Sequence, residues 1–166
     1  MKNYKHKAFS IFEIVITIGI IGILAAVAAF TYPKYSGRSQ ITAANAALEA
    51  YVKAAQDFFT DNNYMPTGIG TSACIAPPSP CNIPISSYNA TTNDILSNNG
   101  ITLTPLTGLA AGTVGISLNA TFSNKAVSAL RQNQLILMLT VTNGIYTITC
   151  SAPNIPNDYL PSNCQQ

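Results

Sequence analysis

The sequence predicts an α+β fold, a long N-terminal helix whose C-terminal half packs on an antiparallel β-sheet. Three observations predict it. Phe9 to Tyr32 is an almost uninterrupted apolar run, Ile41 to Phe59 repeats apolar residues every three or four positions, and two strand patterns flank Asn143-Gly144.

The first run, FSIFEIVITIGIIGILAAVAAFTY, holds a single charge, Glu13. About 20 apolar residues rising ~1.5 Å each match the hydrocarbon thickness of a bilayer. Residues 9–32 therefore read as a transmembrane or filament-core helix. A carboxylate inside such a segment is costly to lipid and points to a partner. Residues 1–8, MKNYKHKA, are short and basic and read as a leader. A cut between Ala8 and Phe9 would create an α-ammonium four positions before Glu13, a neighbour across one helical turn. An ordinary secretory signal is a rival, because Ala26-Val27-Ala28 supplies an A-x-A site; an uncleaved anchor is another. Neither gives Glu13 a local partner.

Pro33 has no N–H for the carbonyl of Ala29, so a kink or local unwinding is expected near 29–33. Beyond it, Ile41, Ala44, Leu48, Tyr51, Val52, Ala55, Phe58 and Phe59 form one stripe of an amphipathic helix. Asn45, Glu49, Lys53 and Asp57 lie on another face, where Glu49–Lys53 and Lys53–Asp57 could each add about 0.3 kcal/mol. This helix should end near 61, since Asp61-Asn62-Asn63 favours a turn and Pro66 forbids continuation.

Residues 64–100 are rich in proline, glycine and asparagine and read as an ordered, irregular loop. TGIGTS at 67–72 lacks the lysine of a phosphate-binding loop. Over 113–122, Val114, Ile116, Leu118 and Phe122 alternate with small or polar residues, the pattern of a half-buried strand. Leu135 to Thr142, Asn143-Gly144 and Ile145 to Cys150 make a β-hairpin, because Asn-Gly accepts the positive φ angles of a type I′ turn. The sheet is thus expected over about 101–150, within a globular domain spanning 33–166, and the tail 150–164 reads as a loop.

Only 8% of the residues are charged, against about 25% in ordinary soluble domains. The formal charge of +2 depends on Lys2, Lys5 and Lys7 of the leader. Loss of the leader leaves five basic and six acidic residues, a net of −1. Lys34, Arg38, Lys53, Lys125 and Arg131 are scattered, so no nucleic-acid footprint is expected. The four cysteines, Cys74, Cys81, Cys150 and Cys164, follow an apolar segment whose basic flank stays in the cytoplasm, which suits disulfides in an oxidising compartment. Of three possible connectivities, proximity favours Cys74–Cys81 and Cys150–Cys164. Zinc competes poorly: the single histidine, His6, is in the leader, and no C-x-x-C occurs. Without a histidine in the mature chain no serine has a base, so no catalytic site, metal or cofactor is expected.

KAFSIFEIVITIGIIGILAAVAAFTYPKY at 7–35 resembles the N-terminus of type IV pilins, with a short basic leader, a cleavage point, an aromatic start and a glutamate four residues on. The amphipathic helix, DFFTDNNYMP at 57–66 and the cysteine-bounded segment 150–164 resemble the family more loosely. The resemblance implies that a prepilin peptidase cuts between Ala8 and Phe9 and methylates the Phe9 amine. It implies that Glu13 docks an incoming subunit by pairing with the Phe9 amine of its own or an adjacent chain. It also implies a lollipop-shaped structural subunit, not an enzyme. Inner-membrane assembly machinery would handle the precursor, and the mature chain would polymerise with itself into a surface filament for adhesion, motility or DNA uptake. There are two departures: Ala8 stands where the family usually has glycine, and Phe30 where it commonly has proline. A pseudopilin of a type II secretion system and a minor pilin share the same signal, and remain alternatives.

Overall fold

The computed structural model describes residues 10–70, 82–83 and 95–165. A single helix, α1 (Ile11–Asn62), runs from the apolar segment into the amphipathic one. Pro33 lies inside it without interrupting it, so the expected unwinding does not take the form of a break. Loss of one backbone hydrogen bond is a local cost, and the helix on both sides of it is long. The chain divides into two compact units, one through Tyr35 and one from Ser36. Each holds part of α1.

In the second unit, Gly37, Ile41, Ala44, Leu48, Tyr51, Val52, Ala55 and Phe58 of α1 are buried. The spacing of three and four brings them onto one face, as the sequence pattern requires. Glu49 accepts a hydrogen bond from Asn45 Nδ2 at 2.6 Å, so an amide one turn back, rather than Lys53, holds its carboxylate. The helix ends where Asn63 adopts a left-handed φ of 61°. Its N–H reaches the carbonyl of Phe59 at 2.8 Å, a simple left-handed cap for which asparagine is well suited.

Two two-residue strands, β1 (Gly68–Ile69) and β2 (Asn82–Ile83), pair in parallel. The main sheet is an antiparallel meander of four strands, β3 (Leu96–Pro105), β4 (Thr113–Phe122), β5 (Gln134–Thr142) and β6 (Ile145–Ser151), in that order. β4 and the β5–β6 hairpin fall where the sequence places them, with Asn143 and Gly144 at φ 52° and 79°. β3 is a correction, because it begins at Leu96, inside the stretch read as loop. Asn98-Asn99-Gly100 is a bulge rather than a turn. The register passes from Leu96↔Phe122 to Ile101↔Ala120, so four residues of β3 face Thr121 alone. Asn99 takes φ 52° there, and a Cβ on Gly100 would lie 2.6 Å from the carbonyl of Ser97. A bulge of this kind needs small residues and positive φ, the same residues that signal a turn.

The core lies between the α1 stripe and one face of the sheet. It takes Ile101 and Leu103 from β3, Ile116, Leu118, Ala120 and Phe122 from β4, and Leu135, Leu137 and Leu139 from β5. The second face of β5 carries half-buried Ile136 and Met138, which pair with polar Asn119, Ser151, Ser117 and Thr149 on the flanking strands. Phe58 is in the core and meets Tyr64 edge to face at 5.5 Å, while Phe59 meets Tyr146 of β6 at 6.2 Å.

Candidate functional site

The described residues of the first unit, 10–35, are exposed. Its large apolar side chains range from 45% exposed at Ile16 to 84% at Ile11, and the most apolar window of α1 has a mean hydropathy of 2.6 with none of it buried. Burial of one such side chain is worth about 1.5–3 kcal/mol, so a run of them in water would drive insertion or association. This surface is the candidate site.

The beginning of the helix is built from a motif that the apolar run overshadowed in the sequence. Ser10 is the residue before Ile11, and its Oγ accepts the Phe12 N–H at 3.3 Å. Its carbonyl accepts from the Glu13 and Ile14 N–H groups at 3.1 and 3.3 Å. Ser10-Ile11-Phe12-Glu13 thus has the S-x-x-E spacing of a capping box. Glu13 therefore sits in the first turn, where unpaired N–H groups and the helix dipole favour an anion. Ser10 escaped the sequence reading, although the four-residue spacing was legible.

Along the rest of the apolar segment, Thr17 Oγ1 donates to the carbonyl of Ile14 at 2.7 Å and Thr31 Oγ1 to that of Val27 at 3.2 Å. Both hydroxyls are satisfied by their own helix, as apolar surroundings demand. Gly19 and Gly22 have open space where a Cβ would stand, leaving room for another helix to approach.

In the second unit the C-terminal tail is a packed element. Cys150, next to the last residue of β6, is bonded to Cys164, 14 positions further along the sequence, with Cα atoms 4.7 Å apart. Ala152, Ile155, Leu160 and Cys164 are buried, and short 3-10 turns occupy Asn157–Tyr159 and Ser162–Cys164. The tail is fastened to the base of the amphipathic stretch. Arg38 Nε donates to the carbonyl of Asp158 at 2.7 Å. Gly37 is needed beneath Tyr159, whose Cε1 would lie 2.5 Å from any Cβ there. Closing a loop of this length stabilises a chain by about 3 kcal/mol in the loop-entropy description. Cys150→Ser combined with Cys164→Ser should therefore lower unfolding free energy by roughly that amount in denaturant titration; an unchanged midpoint would show that the packed tail suffices.

Of the other expected site residues, Ala8, Phe9, Cys74 and Cys81 lie outside the described residues, as does the expected Cys74–Cys81 pairing. Among the described residues no three His, Cys, Asp or Glu side chains gather. A groove of about 170 Å³ between α1, β5, β6 and the tail is lined by Asn45, Glu49, Val52, Leu137, Ile148, Cys150 and Asn163. Glu49 is the one titratable side chain in that lining, without the paired acid and base that proton transfer requires.

The second unit coincides with a known family. A family model for pilin, a bacterial filament protein, matches residues 37–165. The chain is similar to the fimbrial protein EcpC of Eikenella corrodens, with 28% identity over 165 residues, 99% of this chain and 94% of that one. It is 29% identical over 164 residues to a probable minor fimbrial protein of Dichelobacter nodosus, which covers 97% of this chain and 96% of the relative. To the type IV major pilin protein PilE1 of Neisseria gonorrhoeae it is 32% identical over 77 residues, 46% of this chain and 47% of the other. With the helix-on-meander core and the bridged tail both inside the matched region, the chain belongs to the pilin family.

Proposed function

We propose that this chain is the precursor of a type IV pilus subunit, a structural protein that polymerises with copies of itself. The observation that carries the reading is the uncovered apolar helix with one carboxylate in its first turn, continuous with a separately folded unit that buries its own core. The same surface serves two environments. Lipid covers it in the precursor, with Lys2, Lys5 and Lys7 held at the cytoplasmic face, and neighbouring helices cover it in the surface filament. Prepilin peptidase cuts between Ala8 and Phe9 and methylates the new amine, and inner-membrane assembly machinery then receives the mature chain. Apolar packing alone specifies register poorly. Glu13 supplies a mark, because a carboxylate leaving lipid for a helix bundle is satisfied only where an α-ammonium meets it. The functional residues are thus Phe9 and Glu13, with Ser10 holding the turn between them.

Mass spectrometry of the mature protein should show a chain beginning at N-methylated Phe9; an intact Met1, or cleavage after Ala28, would refute the processing step. A minor rather than major subunit is equally consistent with the near full-length similarity to a probable minor fimbrial protein. Its stoichiometry in sheared filaments decides between them. A pseudopilin would leave surface fibres intact and abolish secretion when its gene is deleted.

A further inference from the structure

The groove between α1, β5, β6 and the tail carries acceptors that its own residues do not satisfy. Among the described residues, Asn45 Oδ1 is the one buried side-chain polar atom without a hydrogen-bond partner. The same amide donates from Nδ2 to Glu49 Oε1 at 2.6 Å, so an orphaned oxygen and a carboxylate share one turn of the lining. A buried acceptor without a donor is costly. The walls beside it are apolar: Val52 and Leu137 are buried, and Ile148 of β6 is 50% exposed. Two acceptors in an apolar slot suit a long cationic side chain, whose methylenes lie on the walls while its head donates.

The chain's own cations narrow the choice. Loss of the leader leaves five. Lys34 lies in the first unit, Arg38 is fastened to the tail through Nε, and Lys53 shares α1 with the groove. Lys125 and Arg131 stand exposed on the β4–β5 connection, where Arg131 Nε donates to the Ala126 carbonyl at 3.0 Å. That connection is held on another flank of α1, because the Val127 N–H donates to Gln40 Oε1 at 3.0 Å. Gln40 and Asn45 are about 140° apart around a helix of ~3.6 residues per turn. One chain thus presents the groove on one flank and the cations on another.

We propose that Glu49 and Asn45 receive Arg131 from the β4–β5 connection of a second copy, a contact between globular units of the filament. This rests on the reading of the chain as a self-polymerising subunit, and it adds a contact separate from the apolar helix. Arg131 is the better fit of the two cations, since a guanidinium fork can donate to the carboxylate and to the Asn45 oxygen together. The contact is asymmetric, with a groove on one copy and a plug on the other. Contacts of that kind propagate into open helical filaments when their rotation does not close.

The test is a charge exchange in the full-length chain, produced in its source strain without the unaltered copy, with sheared surface fibres measured by immunoblot. Glu49→Arg and Arg131→Glu each set like charges against one another, and fibre yield should fall about tenfold or more. The chain carrying both substitutions restores the pair with its polarity reversed, and its yield should return to within about twofold of the unaltered chain. Where a reversal disturbs folding, Glu49→Gln and Arg131→Gln replace it. Glutamine still accepts from Asn45, and the two losses should not add, because either substitution breaks the same pair. Normal yields from both single reversals would leave the groove to water and overturn the contact. So would losses that the exchange does not recover, or neutral substitutions whose losses add in full. If the unaltered chain itself is missing from sheared fibres, the self-polymerising reading fails instead.

Discussion

Glu13→Val should all but abolish filament assembly while leaving the globular unit folded. The substitution removes one member of a pair that forms only in the assembled state, so the Phe9 ammonium would be buried without a counter-charge. Removing one partner of a buried ion pair costs about 3–5 kcal/mol, and each 1.4 kcal/mol is about tenfold in association. The yield of sheared fibres should therefore fall by roughly a hundredfold or more. Glu13 lies in the unit that ends at Tyr35 and is not a residue of the buried core cluster, so thermal unfolding of the second unit should not move. Its place in the S-x-x-E turn suggests a competing role, as a simple helix cap. Glu13→Gln separates the two, since glutamine completes a capping box and carries no charge. Loss of fibres in both variants assigns the effect to charge; normal fibres with glutamine would reduce Glu13 to a cap.

Leu48→Ala should destabilise the globular unit by about 2–5 kcal/mol, the range for large-to-small changes in a packed core. Leu48 is fully buried at the middle of the α1 stripe, where the helix meets the sheet. Against a total stability of about 5–15 kcal/mol this is a large fraction, and the melting temperature should drop by roughly 10 °C. Lys53→Ala, on the exposed face of the same stretch, should change stability by no more than about 0.5 kcal/mol. Equal effects of the two substitutions would mean that the stripe does not carry the packing.

The contrast between these residues also explains what the sequence disclosed. Helix existence, its amphipathic face and the β5–β6 hairpin were legible because each rests on a short-range rule with few alternatives. Spacing of three and four has no other use over twenty residues, and Asn143-Gly144 accepts two successive positive φ angles that other residues resist. β3 was not legible at its start. Asn98-Asn99-Gly100 signals a chain reversal locally, and only pairing with β4, a long-range contact, turns it into a bulge within a continuing strand. The parallel pairing of Gly68–Ile69 with Asn82–Ile83 is two residues long and too brief for any periodicity. The packed tail was read as loop because Pro153, Pro156 and Pro161 exclude regular structure. They do not exclude burial: Ile155 and Leu160 are buried beside 3-10 turns that begin after Pro156 and Pro161.

Legibility at the site divides along the same line. Glu13 stood out because a charge inside an apolar run is costly, whereas Ser10 looked ordinary until its Oγ was found on the Phe12 N–H. The tie between Arg38, Gly37 and the tail joins residues about 120 positions apart, beyond the reach of any local pattern.

The central claim is that the apolar half of α1 is the surface by which copies of this chain hold together. A reconstruction of sheared filaments by electron cryomicroscopy tests it most directly. The expected result is a core of bundled helices formed by Ile11 to Tyr35, shielded from water, with Glu13 of each copy beside an N-terminal amine. Fibres in which these helices lie on the outer surface, or in which globular units join without them, would contradict it.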